Sequence, residues 1–153
     1  MVIALAAATV GAYTLETTIT QLNKSAVAIT KGDVLYYDPA DDFFKQAPAA
    51  GVSTQYAVAV DAAAAADTKV RAARYGPVTV KNGGGTLAVG CALKVDGTTA
   101  GRVMEGVQTA VADINAIVGH YMGKADNNER DGLAIAAASS GDVVWMFLKG
   151  GEA

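Results

Sequence analysis

Apolar residues in this chain come in short runs, and Gly, Pro, Asn or Asp separates each run from the next. Between residues 56 and 96 the runs are rich in β-branched side chains and lack helical spacing, which is typical of strands joined by tight turns. Residues 13–21 alternate between two faces, which predicts a half-buried strand. The pattern therefore predicts an all-β fold, a single compact β-barrel or sandwich with an extended N-terminal arm and few or no helices.

The strand prediction extends over most of the chain. Residues 143–148 form the most apolar run and are predicted to be a buried final strand that includes Trp145. The alanine run 62–66 is compatible with a helical turn or a spacer, and residues 107–113 fit either a helix or an irregular segment. Further strands are expected at residues 33–38, 43–46, 56–60, 69–75, 78–81, 87–95, 102–105, 114–122 and 133–136.

A weak internal repeat accompanies these strands. Residues 32–38 and 90–96 share the pattern Gly-x-x-Leu-x-x-Asp. The pattern indicates a glycine before the strand, a buried leucine within it and an aspartate that opens the next turn. It predicts two similar β-hairpin units within one barrel or sandwich.

The predicted organisation is an arm with the first strand (residues 1–24), a β domain (25–149) and a tail (150–153). Residues 1–11 carry no charged side chain, so we expect either their own domain or a neighbouring molecule to cover them. No Lys or Arg precedes this apolar start, which argues against a signal peptide.

Composition narrows the function further. Hydrophobic residues make up 52% of the chain but aromatic residues only 7%. An alanine-rich core is thin, so we expect partner subunits to add stability. The net charge of −3 without a basic run argues against a nucleic-acid partner. No apolar run is long enough to cross a membrane.

The residue types that carry catalysis are scarce. Cys91 and His120 are the only cysteine and histidine, and we interpret them as a small core thiol and a strand residue. A zinc site needs more ligands than this pair offers. The acidic residues at 38–42 are interpreted as turn residues, and the polar loop 126–132 lacks the glycine position of a calcium loop. The sequence predicts no enzyme, no cofactor and no metal.

Two other features are interpreted as ordinary structural elements and not as binding sites. Asn82-Gly83-Gly84-Gly85 leads into a strand and is interpreted as a hairpin turn, since phosphate loops lead into helices. The basic residues of the central stretch are interpreted as a solvated strand face, with contact to an acidic partner as the alternative. They are Lys69, Arg71, Arg74 and Lys81.

The order of these segments resembles the small capsid decoration (cement) proteins of tailed bacteriophages. The resemblance covers residues 27–148 and rests on residues 56–60, 70–73, 76–78, Gly90-x-x-Leu93, 118–122 and 141–144. It implies an enzymatically silent virion structural protein, often trimeric, that binds the outside of the assembled capsid at capsomer junctions and stabilises the shell.

The implied partners are the major capsid protein and further copies of this chain, as a homotrimer. The implied location is the outer capsid surface, with the host cytoplasm during assembly. The alternatives are a β-barrel carbohydrate- or ligand-binding module of a virion or cell surface, and an enzyme that uses Cys91 and His120. The candidate interface residues are Val2, Ile3, Ala4, Leu5, Val10, Tyr13, Leu15, Arg71 and Arg74.

Overall fold

A computed structural model describes residues 18–48, 55–64, 67–88, 90–109, 116–124 and 138–149. These ranges contain ten β-strands and no helix, so the all-β prediction is confirmed. The arm, the loop 126–132, the strand expected at 133–136 and the tail lie outside the described residues. The strands are β1 (Thr18–Leu22), β2 (Val34–Asp38), β3 (Phe43–Gln46), β4 (Tyr56–Ala59), β5 (Lys69–Ala73), β6 (Gly76–Gly84), β7 (Ala92–Val95), β8 (Val103–Gly106), β9 (Ile117–Lys124) and β10 (Val143–Leu148).

The ten strands form two five-stranded units with the same strand order. In the first unit, β1 to β5, the order is β1-β5-β4-β2-β3. In the second unit, β6 to β10, each strand follows five places later, as β6-β10-β9-β7-β8, and the sheet closes into a barrel. The internal repeat is therefore real, and the repeating element is a five-stranded unit, larger than the hairpin expected from the sequence.

The strand registers show that the two units correspond, apart from β-bulges in the second unit at Leu93–Lys94 and Trp145–Met146. Leu35 pairs with Ala57, and its counterpart Leu93 pairs with Gly119. The glycine before each of these strands has a positive φ, 87° at Gly32 and 75° at Gly90, a backbone conformation that favours glycine. An isolated bridge also recurs, between Ile29 and Ala63 in the first unit and between Leu87 and Ala138 in the second.

A fully buried asparagine holds the same place in each unit. The side-chain amide of Asn23 donates to the carbonyl oxygens of Val27 and Ala64 and accepts from the N–H of Ser25. Asn82 makes the same three kinds of hydrogen bond in the second unit. Its amide donates to the carbonyl oxygens of Gly85 and Ser139 and accepts from the N–H of Gly84. Each asparagine thus joins the backbone that directly follows it to one distant segment, at Ala64 in the first unit and at Ser139 in the second.

The two units differ in how they close. The end of β6 pairs in parallel with β8, which completes the second barrel. The corresponding strands of the first unit, β1 and β3, form no ladder. Instead the side-chain amide of Gln21 donates to the carbonyl oxygen of Phe44, and the N–H of Phe44 donates to Oε1 of Gln21 at 3.0 Å. One glutamine therefore replaces a strand pair at this seam.

Burial follows the alternation of the strands. The first unit encloses a cluster of its own that includes Leu35, Ala57 and Val70. A larger cluster fills the second barrel and extends to Val34 and Val58 on the opposite face of the first sheet. The two units therefore share a core, and the first sheet is buried on both faces.

Three local predictions were wrong in part. Asn82 to Gly84 belong to β6, so the expected hairpin turn at 82–85 does not begin there. Strand β10 is buried on one face only, and Trp145 lies half-buried on its outer face. In the alanine run, Ala63 is fully buried and forms the bridge to Ile29, so it is more than a spacer.

Candidate interaction surfaces

The predicted arm residues Val2, Ile3, Ala4, Leu5, Val10, Tyr13 and Leu15 lie outside the described residues. Of the two remaining interface candidates, Arg71 lies within β5 and Arg74 directly follows its last residue. The guanidinium of Arg71 donates two hydrogen bonds to the carboxylate of Asp61, at 2.6 and 3.0 Å. Nη2 of Arg74 lies 3.4 Å from Oε1 of Gln55. Both arginines therefore bond within their own chain, and Lys81 lies apart from them, on β6.

The ion pair between Arg71 and Asp61 is exposed. We therefore expect it to contribute little to the stability of the fold, and to lose that contribution in acid. The hydrogen bonds from Arg71 lower the pKa of Asp61 in the folded state. The stabilisation is therefore fully present above the unfolded carboxyl pKa of about 4, and it is lost as pH falls through the lowered folded pKa. We expect Arg71→Ala to reduce the urea midpoint slightly at pH 6 and not at about pH 2. An equal reduction at both pH values would show that the pair does not act through its charge.

The acidic turn between β2 and β3 is neutralised within the chain. The ammonium of Lys45 donates to the carboxylates of Asp38, at 2.8 Å, and of Asp41. The hydrogen bond from Lys45 lowers the pKa of Asp38. The hydroxyl of Tyr37 donates to Asp42 at 2.6 Å, which raises the pKa of that tyrosine. The ammonium of Lys45 therefore occupies the position between the carboxylates where a metal ion would have to bind. No group of three metal-ligating side chains occurs in the described ranges.

Cys91 and His120 do not form a catalytic pair in the described structure. Burial, together with the charge of Glu105, raises the pKa of the half-buried Cys91 thiol, which opposes thiolate formation. Nε2 of His120 lies 3.0 Å from the side-chain amide of Gln108, and no hydrogen bond joins it to Cys91. The arrangement supports the interpretation of both as structural residues.

One open cavity of about 350 Å³ lies beside the seam of the first unit. Lys24, Tyr36 and Lys45 contribute to its wall. Both lysines are already paired, since Lys24 lies 2.5 Å from Asp67 and Lys45 bonds Asp38. The cavity therefore has no converging free charges that would bind an ionic substrate.

The most distinctive surface is an apolar area on the outer face of the second barrel. Tyr75 is 47% exposed and Phe147 is 38% exposed, and their rings meet edge to face with centroids 5.3 Å apart. Met122 on β9 and Val143 on β10 are also exposed. Contiguous exposed aromatic and aliphatic side chains are typical of contact surfaces. The sequence analysis missed this surface because it assigned the whole of β10 to the core.

Within the chain, the two units contact each other through a turn of the first unit and strand β6 of the second. The turn at Gly32 lies so close to β6 that a Cβ there would be 3.3 Å from the carbonyl oxygen of Thr79. Beside it, Nζ of Lys81 donates to Oγ1 of Thr30 at 2.5 Å and lies 3.7 Å from the carboxylate of Asp33. Asp33 is buried, so the lysine supplies the charge that compensates it.

A second glycine turn completes this contact. The carbonyl oxygen of Gly101 accepts from the N–H of Val34, and the N–H of Gly101 donates to the carbonyl oxygen of Ala47. The turn between β7 and β8 thus inserts between the ends of β2 and β3. The hydrogen bonds and the shared core hold the two units together.

Comparisons with known proteins give one finding. No family model matches the chain, and no curated protein matches it. Among solved structures, the chain is similar to the head fiber gp8.5 N base of bacteriophage phi29, with a TM-score of 0.58 and 16% sequence identity. The match covers 89% of this chain and 98% of that chain. The two proteins therefore share a two-unit all-β fold over nearly their whole lengths. No helix with the length and hydropathy of a membrane span occurs in the described part of the chain.

Proposed function

We propose that this protein is a virion structural protein that binds the outside of an assembled bacteriophage capsid, at capsomer junctions, and stabilises the shell. The observation that carries the proposal is the fold that it shares with the base of a phage head fiber over nearly the whole of both chains. The resemblance of its sequence segments to capsid decoration proteins points to the same class.

The described surface agrees with a role in binding rather than in catalysis. Several of its charged groups are paired within the chain, as Lys45 is with Asp38 and Arg71 with Asp61. Its exposed apolar area around Tyr75 and Phe147 is suited to contact with protein. A modest contact repeated at many equivalent places on a shell gives large total stabilisation.

The proposed partners are the major capsid protein and further copies of the chain, as a homotrimer, with assembly in the host cytoplasm. We propose that the arm, residues 2–10, makes the contacts to the shell. This segment is apolar and uncharged, and an extended segment of this kind can add a strand to the sheet edge of a neighbouring protein.

Removal of residues 1–11 is expected to abolish shell binding and to leave the β domain folded, because the ten strands begin at Thr18. The measurement is co-sedimentation of the purified protein with intact capsids that lack it, with circular dichroism to verify the fold. The matched control is the full chain with Lys149→Ala, an exposed residue outside the candidate interface, which should sediment with capsids as the unchanged protein does.

Two results would contradict the proposal. If the full chain does not co-sediment with capsids, the virion role is wrong. If the chain without residues 1–11 occupies capsids to the same extent as the full chain, the arm is not the attachment segment. In that case substitutions at Tyr75 and Phe147 would test the apolar area instead.

A further inference from the structure

The contact between the two units uses one surface from each unit. The first unit contributes a donor face, which we define as Gly32, Val34 and Val58. Here "donor" and "acceptor" name the two contact surfaces and not the direction of hydrogen bonds. The second unit contributes an acceptor edge, which we define as residues 79–81 of β6. Because the units repeat, the second unit also has a donor face and the first unit also has an acceptor edge. Among the residues that the structure describes, neither of these counterparts makes the contact between units that its equivalent makes.

The registers identify the second donor face. Val34 pairs with Val58, and Ala92 pairs with His120. Farther along the same rows, Val58 pairs with Ala73, and His120 pairs with Phe147. The donor face of the second unit, the counterpart of Gly32, Val34, Val58 and the adjoining Ala73, therefore consists of Gly90, Ala92, His120 and Phe147.

Burial differs sharply between the two donor faces. Gly32, Val34 and Val58 are buried by the neighbouring unit. Of their counterparts, Gly90, His120 and Phe147 are exposed, whereas Ala92, the counterpart of Val34, is buried. A Cβ at Gly90 would meet no described atom within 4 Å. Three of the four residues of the second donor face are thus uncovered in the described part of the chain. Of the exposed apolar area, Phe147 belongs to this face and Val143 does not.

The acceptor edge of the first unit is the stretch of β1 that corresponds to residues 79–81. The pairing of Thr18 with Ala73 matches that of Pro77 with Phe147, so the counterpart edge is residues 20–22. Thr20 is exposed and Leu22 is half-buried. Strand β1 also ends its sheet, where the described contact with β3 is the side-chain bridge from Gln21 to Phe44 and not a strand ladder. Proteins normally cover such an edge.

The side chains at the contact within the chain differ from their counterparts at the proposed contact between chains, and they differ on both surfaces. Within the chain, Lys81 on the acceptor edge meets Thr30 and Asp33 beside the donor face. The three counterparts are Leu22 on the acceptor edge and Ala88 and Cys91 beside the donor face. A charged and polar set is replaced by an apolar set on both surfaces, so the unused donor face and the unused acceptor edge remain complementary.

We propose that the donor face of the second unit binds the acceptor edge of the first unit of a second copy, so that copies associate head to tail. The contact reproduces between chains the packing that joins the two units within a chain. A head-to-tail contact of this kind generates a ring if it closes. The inference deepens the self-association in the proposed function and rests on it, but it needs no shell.

The experiment uses complementary charges at the two surfaces. Leu22→Lys and Cys91→Asp each place one unpaired charge in the contact, so each purified variant should be monomeric by light scattering at a concentration where the unchanged chain associates. An equimolar mixture of the two variants should associate again. In the mixture the new lysine meets the new aspartate, as Lys81 meets Asp33 within the chain. A variant that had failed to fold could not be rescued in this way.

The matched control is Val143→Lys. Val143 is exposed on β10, and its counterpart in the first unit is Lys69, as the pairs Val143 with Lys81 and Lys69 with Leu22 show. It belongs to neither surface of the contact, so this variant should associate as the unchanged chain does.

Three results would overturn the inference. The first is an unchanged chain that stays monomeric at high concentration. The second is an association that Val143→Lys abolishes and Leu22→Lys does not. The third is an association that survives both Leu22→Lys and Cys91→Asp but is lost when residues 1–11 are removed, which would assign it to the arm. Co-sedimentation with capsids is measured separately, so failure here is distinguishable from failure of shell binding.

Discussion

Gly119→Ala is expected to destabilise the second barrel severely, although the change adds a single methyl group. Gly119 lies on β9 between Leu93 and Leu148. A Cβ at this position would be 2.7 Å from Cγ of Met146 and closer still to the carbonyl oxygen of Phe147. That oxygen belongs to the backbone of the adjacent strand, so it cannot move away without disturbing the barrel. We expect a loss of about 3 kcal/mol or more in the free energy of unfolding.

Thermal unfolding followed by circular dichroism measures this effect, and the midpoint should fall by roughly 10 °C. Gly84→Ala is the matched control, because a Cβ at Gly84 would meet nothing within 4 Å. Its midpoint should stay within a few degrees of that of the unchanged protein. The repeat offers a second comparison, since Ala57 carries a methyl group at the corresponding place of the first unit. Equal midpoints for the two glycine variants would contradict the packing described for β9 and β10.

Asn82→Ala is expected to have the second large effect. It removes the donors to the carbonyl oxygens of Gly85 and Ser139 and the acceptor for the N–H of Gly84. Asn82 is fully buried, so water does not replace these hydrogen bonds without opening the structure. A buried polar group without a partner costs about 1–3 kcal/mol. We expect a total loss of roughly 3 kcal/mol, read from the urea midpoint.

The same change in the first unit, Asn23→Ala, should cost a similar amount. The two sites share no partner, so the losses should add in the double variant. Gln108→Ala is the control, since the amide of this exposed residue bonds only the ring of His120, and it should change stability by less than 1 kcal/mol. A urea midpoint unchanged in Asn82→Ala would show that the asparagine does not hold the two backbone segments, at Gly84–Gly85 and at Ser139, together.

Strand positions were predictable where the alternation was local and clear. The run 43–46 coincides with β3 and the run 143–148 with β10, because β-branched and aromatic residues bounded by turn residues favour extended backbone whatever surrounds them. The same local pattern was misleading at residues 82–84. Asn and Gly are turn residues by composition, but here they continue β6, where Asn82 is buried.

The repeat shows how far a short motif can be trusted. The shared Gly-x-x-Leu-x-x-Asp pattern correctly marked corresponding places, Gly32 with Gly90 and Leu35 with Leu93. It did not disclose that all five strands repeat. The other corresponding positions have diverged, as Gln21 has from Val80 and Asp33 from Cys91, and only the hydrogen-bond registers show that they are counterparts. Aligning the units on the motif without a gap would place Asn23 opposite Lys81, so the motif alone does not bring the two buried asparagines together.

Local preference alone was enough for the all-β class and for most of the strands. The closure of one unit and the glutamine-bridged seam of the other depended on the folded chain, and so did the choice of which apolar face stays exposed. The physical reason is that alternation along a strand depends on neighbouring residues. Closure and burial depend on contacts between strands that are far apart in sequence. The apolar residues Ala73 and Phe147 hold corresponding positions, yet the first is buried and the second is exposed.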